Sequence, residues 1–234
     1  ELKDVLSSKL QDLGITTLLF MKSLEMIEYR IEVDNNVKEG QYLLEKNVIN
    51  DHCTLASALG VSFQEGEKPK DTSIIHYLKF SRRIDDVSTR TVDIAFPVKL
   101  LDDNTYECVK PRDPYISVYF PTETESKLNF IVQGPYRTTP NRSSIPAKDV
   151  DNIHLAEETA ILLKDALIEL RDARMLNMSF IKALPLNARA FDNFNLFYPL
   201  YETVKSLFVS EKIIPTHNGE YTSAREAKLP RPER

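Results

Sequence analysis

The stretch Phe120-Pro-Thr-Glu-Thr-Glu-Ser-Lys-Leu-Asn-Phe-Ile-Val-Gln-Gly-Pro-Tyr-Arg-Thr-Thr-Pro-Asn-Arg142 carries two apolar runs joined by a polar linker. The first run ends in Phe-Pro-Thr; the second, Leu128 to Val132, leads into Gln133 and Gly134. Short apolar runs on either side of a polar turn predict two neighbouring strands. Gly134, Pro135 and Pro140 forbid regular structure after the second strand. A loop from Arg137 through Thr138 and Thr139 to Arg142 is therefore expected at a strand end. Two guanidinium groups and two hydroxyls there suit an anion, because arginine presents a planar fork of donors that matches phosphate. Solvated arginines with surface carboxylate partners are the competing reading, since loop arginines are common. With no phosphate present, the two guanidinium groups are expected to repel one another and to leave the loop mobile, while the strand to Val132 stays rigid.

Working outward, Tyr29 to Val33 and Gln41 to Ile49 alternate apolar and polar residues about Asp34-Asn-Asn36, and Ile74 to Phe80 and Thr91 to Leu100 are further apolar runs. These predict strands of a mainly antiparallel sheet of about six strands. Leu55 to Leu59 reads as strand or as a helical turn. Ahead of the strands, residues 2–13 and a run from Thr17 to Ile27 predict two helices, the first stopped by Gly14. Beyond Asp149 the period changes. Asn152 to Asn177 carries an apolar stripe at helical spacing, followed by helices over Ser179–Leu184 and Phe194–Val209 and a hairpin turning at Asn218-Gly219. The aromatic stripe Phe197, Tyr198, Tyr201 and Phe208 reads as core. The fold class is α+β, with helices on one face of the sheet and then a mostly helical segment. The expected divisions are 1–150, 151–210, and 211–234 with a hairpin and a basic tail.

Composition restricts function. Across 234 residues the formal net charge is −5, which argues against a dedicated nucleic-acid binder. Cys53 and Cys108 fit no metal or CxxC spacing, so a reducing, cytoplasmic setting is expected. No run approaches a membrane span. The first residue is Glu and the last four are Arg-Pro-Glu-Arg, the expectation being a piece of a longer protein. Walker A, GxGxxG, HExxH and GxSxG motifs are absent. His76 reads as a sheet histidine, and the pairs Arg82-Arg83 and Asp85-Asp86 as exposed charges. No metal-ligand set is expected.

The order Thr17-Leu-Leu-Phe-Met-Lys-Ser-Leu-Glu-Met-Ile27, Val92-Asp-Ile-Ala-Phe-Pro97, Tyr119-Phe-Pro-Thr122 and Gln133-Gly-Pro-Tyr-Arg-Thr-Thr-Pro-Asn-Arg142 resembles one region of larger proteins. It is similar to the segment that follows the nucleotide-binding domain in sacsin-like members of the GHKL ATPase family. That family also holds the ninety-kilodalton heat-shock chaperone and the gyrase ATPase subunit. The resemblance implies a transducer-like, or middle, domain whose loop reaches into a Bergerat-fold nucleotide pocket. It further implies a catalytic arginine at Arg142, the one residue that matches the chaperone's position well; Gln133, Arg137, Thr138 and Thr139 are phosphate-loop candidates by their place in the same stretch. The chaperone's accompanying glutamine has no counterpart after Arg142, and the gyrase-type Gln-x-Lys loop is missing. ATP and Mg²⁺ belong to the parent protein, and no tight binding of either is expected in this chain. The implied partner is an N-terminal nucleotide-binding domain of the same protein, with a client protein or a homodimer partner as further candidates. The alternative is a non-catalytic protein-interaction module of a larger protein.

Overall fold

The structure, a computed structural model, describes residues 17–33, 36–64, 71–85, 89–101, 105–112 and 114–227. The expected helix over residues 2–13 and the tail beyond 227 lie outside the described residues.

The strands are β1 (Met26–Val33), β2 (Asn36–Val48), β3 (Cys53–Gln64), β4 (Asp71–Arg83), β5 (Thr91–Leu100), β6 (Tyr106–Cys108), β7 (Tyr115–Val118), β8 (Phe120–Glu125) and β9 (Ile131–Gln133). They form a nine-stranded sheet in the order β1-β2-β3-β4-β5-β9-β7-β8, with β6 also on β5. All pairings are antiparallel except β7 with β9. Three helices follow, α1 (Val150–Asp172), α2 (Met178–Ala183) and α3 (Tyr198–Ser210), and then a small hairpin of β10 (Ile214–Pro215) and β11 (Tyr221–Thr222).

The middle of the sheet is set by β5, buried over most of its length. Its Pro97 sits inside a strand paired on both sides, where a missing N–H normally breaks the ladder. Here the carbonyl of Pro97 accepts from Val109 N at 2.9 Å, so its empty donor position faces the same edge. On that edge β9 pairs with Asp93–Ala95 and β6 with Val98–Leu100, and Pro97 falls in the gap between them. Alternation sends Val92, Ile94, Phe96 and Val98 toward the helices, where they join one core with Leu163, Leu167, Leu200 and Val204. The Phe96 ring lies 5.0 Å from that of Phe130 and 5.5 Å from that of Phe180. Ala95, Ile131, Tyr42 and Tyr77 face the other way and pack on Leu18, Leu19 and Phe20. The 3₁₀ turn Thr17–Phe20 touches β2, β3 and also β8, near opposite ends of the sheet order, so the sheet curls around it.

Several expectations are corrected. The sheet has nine strands rather than about six. The ambiguous segment at Leu55 is a full strand, with Ala56 and Ala58 on one core and Cys53 and Leu55 on the other. The end of the first run and the start of the polar linker together form a separate strand, Phe120–Glu125; as a partly exposed edge it carries no apolar alternation to betray it. Only Ile131–Gln133 of the second apolar run is strand. The expected helix over 17–27 is one 3₁₀ turn with all four residues buried, followed by β1. Burial on every side overrides helical spacing there. Helix α1 stops at Asp172 rather than Asn177, because Arg174 takes a left-handed φ of 57° and Met175 N returns to Leu170 O at 2.8 Å. That stop is usually built on glycine, and no glycine announces it here.

Candidate functional site

The chain leaves β9 at Gln133 and crosses to the helix face at Tyr136. The phenol of Tyr136 is buried, lies 3.1 Å from the Thr159 hydroxyl, and its ring stands edge-on to Phe197. Burial pushes the Tyr136 pKa up, opposed by the Thr159 hydrogen bond. Gly134 is needed for this descent, since a Cβ there would lie 2.9 Å from the Tyr136 ring.

Asn152, fully buried in the first turn of α1, then fixes the loop. Its Oδ1 accepts from Arg137 N at 2.7 Å, and its Nδ2 donates to Arg137 O and to Pro146 O, each at 3.0 Å. Asp149 caps the same helix, its carboxylate accepting from Asp151 N and Asn152 N. The Arg137 guanidinium pairs with Asp149 at 3.6 Å and with Asp151. This residue matches the surface-carboxylate reading.

From Arg137 the loop turns back toward the sheet. Thr138 is half-buried. Thr139 Oγ donates to Asn141 Oδ1 at 2.8 Å, Thr139 N to Ser144 O at 2.9 Å, and Arg142 N to Thr139 O at 2.8 Å. Arg142 closes this turn with φ 60°, a left-handed conformation that costs about 1 kcal/mol outside glycine. Its Nη2 donates to Val118 O at 2.8 Å and Phe120 O at 3.4 Å, around the tight β7–β8 connection at Tyr119. No carboxylate lies within ion-pair distance of Arg142 among the described residues, and its Nε and Nη1 carry no described hydrogen bond. Arg137 therefore faces the N-terminus of α1 and Arg142 the β7–β8 turn. They do not converge on one anion.

Gln133 sits on the opposite face of the sheet from Tyr136. It is buried beside Asp93 and Ser117, its partners in register, and its Oε1 has no hydrogen bond. Asp93 is satisfied by Ser81 Oγ, by Thr91 Oγ at 3.1 Å and by Lys79 at 3.6 Å. Gln133 thus faces away from Tyr136 and from the start of the loop that Asn152 holds. Asn152 and Asp93 were missed as organisers, one hidden in a helical run and the other within an apolar strand. The remaining flagged groups are structural. His76 shares a 2.8 Å hydrogen bond with Ser57, and burial lowers its pKa. Arg82 ties β4 to α1 through Glu158 at 2.8 Å, and Asp85 pairs with Arg90 at 3.2 Å. Among the described residues no cluster of three or more His, Cys, Asp or Glu could hold a metal, and no helix is long and apolar enough to cross a membrane.

No family model matches the chain, and no solved structure does. The chain is 30% identical over 160 residues to Protein NO VEIN of Arabidopsis thaliana, a match covering 67% of this chain and 5% of that protein. The similarity is to one short segment of a far longer polypeptide.

Proposed function

We propose that this chain is a transducer-like segment of a sacsin-type GHKL ATPase, which lends Arg142 to the γ-phosphate of ATP held by a nucleotide domain outside these residues. The observation that carries the reading is the state of Arg142. It is an exposed guanidinium oriented by main-chain carbonyls, with open donor positions and no carboxylate partner among the described residues. An arginine so placed stabilises charge on a transferring phosphoryl group only when the neighbouring domain docks, which couples nucleotide state to domain arrangement. Similarity to a short segment of a much longer protein agrees with a module that works inside a larger chain. Residues 1–150 would form the transducer-like unit, with 151–210 and 211–234 extending it.

The test is ATP turnover by a longer polypeptide that includes the region preceding Glu1. Arg142→Ala is expected to lower turnover at least about tenfold, given the rate factors of arginine fingers, with ATP affinity nearly unchanged. Arg137→Ala, already neutralised by Asp149 and Asp151, is expected to change turnover less than about threefold. Equal turnover in wild type and Arg142→Ala would remove the arginine from the mechanism.

The second reading is a protein-interaction module. Phe194, at the turn before α3, is 74% exposed, an unusual position for a large aromatic. Loss of partner capture on Phe194→Ala, with no effect of Arg142→Ala, would favour that reading.

A further inference from the structure

Strand β1 forms one edge of the sheet, and no described strand pairs with its outer side. Leu44 N donates to Glu25 O at 2.8 Å, so residue 25 faces β2. By alternation Ile27, Tyr29 and Ile31 also turn their main-chain groups inward. Met26, Glu28, Arg30 and Glu32 therefore direct their N–H and C=O groups outward, and all four side chains are exposed. The opposite edge of the sheet is blocked. Pro121 lies in β8, Glu123 N donates to Arg142 O, and Thr124 Oγ donates to Ser143 O.

We propose that β1 is a self-association edge, on which a second copy of this chain adds its own β1 antiparallel about a two-fold axis at Tyr29. Charge selects this occupant and this register. An antiparallel ladder must place outward residues opposite outward residues, so acceptable registers differ by steps of two. One register sets Arg30 against Arg30 and Glu28 against Glu32, and another sets Glu28 against Glu28; like charges directly opposite destabilise a strand pair. The register between them sets Glu28 against Arg30 twice, Met26 against Glu32, Ile27 against Ile31, and Tyr29 against Tyr29. Every ionic pair is then complementary and the apolar residues share one face. Because β8 offers no equivalent edge, the pairing closes as a dimer rather than continuing as a fibre.

The experiment is sedimentation velocity or light scattering on the chain from about 1 to 200 µM, the range suited to a small interface. Wild type is expected to approach twice the monomer mass as concentration rises. Arg30→Glu, which opposes carboxylates in every close register, is expected to weaken association at least about tenfold. Glu28→Arg combined with Arg30→Glu restores complementarity and is expected to recover the wild-type constant within about threefold. Glu28→Pro removes an outward N–H that the monomer does not use, and is expected to abolish the dimer with an unchanged circular dichroism spectrum. A wild type that stays monomeric, a dimer indifferent to Arg30→Glu, or a charge swap that fails to restore association would each overturn the proposal. Should Glu28→Pro misfold, the charge-swap pair still decides.

Discussion

Asn152 donates to two carbonyls of the Arg137–Pro146 segment and accepts from one of its N–H groups, all from a fully buried amide. Replacing it with Ala would leave the N–H and C=O of Arg137 unsatisfied, strip Pro146 O of one of its two donors (Asp149 N, at 3.3 Å, is the other), and free the loop that carries Arg142. Asn152→Ala is expected to lower stability by about 2–4 kcal/mol in chemical denaturation, and Arg137→Ala by less than about 1 kcal/mol because its guanidinium is largely exposed. A smaller loss for Asn152→Ala than for Arg137→Ala would show that the ion pairs, rather than the buried amide, hold the loop. The two arginines illustrate what a sequence window leaves out. Their types and spacing were legible, but their partners come from residues distant in sequence. Arg137 meets carboxylates of α1, and Arg142 meets carbonyls of the β7–β8 connection. Gln133 was grouped with them by proximity along the chain, whereas strand alternation turns it to the opposite face.

At the scale of elements, the long apolar strands and amphipathic helices could be read directly. The bounds of β5 coincide with those expected from its sequence, and α2 and α3 lie within a few residues of theirs. What escaped were elements whose reason lies in tertiary contact. The Thr17–Phe20 turn, enclosed by a curled sheet, needs apolar residues on all sides and so imitates a buried helix. Strand β8 is mostly polar because it is an edge. The pairing of β1 with β2 contains a device that the sequence states only as a lone glycine. Gly40 lies opposite Tyr29, and a Cβ there would come within 2.2 Å of the Tyr29 ring, which packs at 6.0 Å from that of Tyr42. Gly40→Ala is expected to cost about 1–2 kcal/mol by pushing that ring aside. In a Tyr29→Ala background the same change should cost almost nothing, since alanine otherwise suits a strand better than glycine. A double-mutant cycle by thermal or urea unfolding measures the coupling; additive losses would mean that the ring does not depend on the glycine.

Across the whole molecule, both faces of the sheet are engaged, the helices on one side and Thr17–Phe20 on part of the other. Arg142 stands at a corner where the loop after β9 meets the β7–β8 turn, open to solvent and bounded by the exposed aromatics Tyr119 and Phe120. ATP offered to this chain would meet one exposed cation there, and the carbonyls of Val118 and Phe120 would compete for it. An exposed ionic contact is worth about 1 kcal/mol or less, whereas a millimolar complex needs about 4 kcal/mol. Stacking of the base on Tyr119 or Phe120 adds about 1–3 kcal/mol at best, by analogy with aromatic platforms for single strands. The sum reaches the millimolar range only if both contacts form together and the loop keeps its present turn. Calorimetry on the 234-residue chain is therefore expected to give a dissociation constant of about 1 mM or weaker, with Arg142→Ala binding weaker still. Micromolar binding would place a complete nucleotide site within these residues, and the proposed delivery of Arg142 to a separate domain would then have to be abandoned.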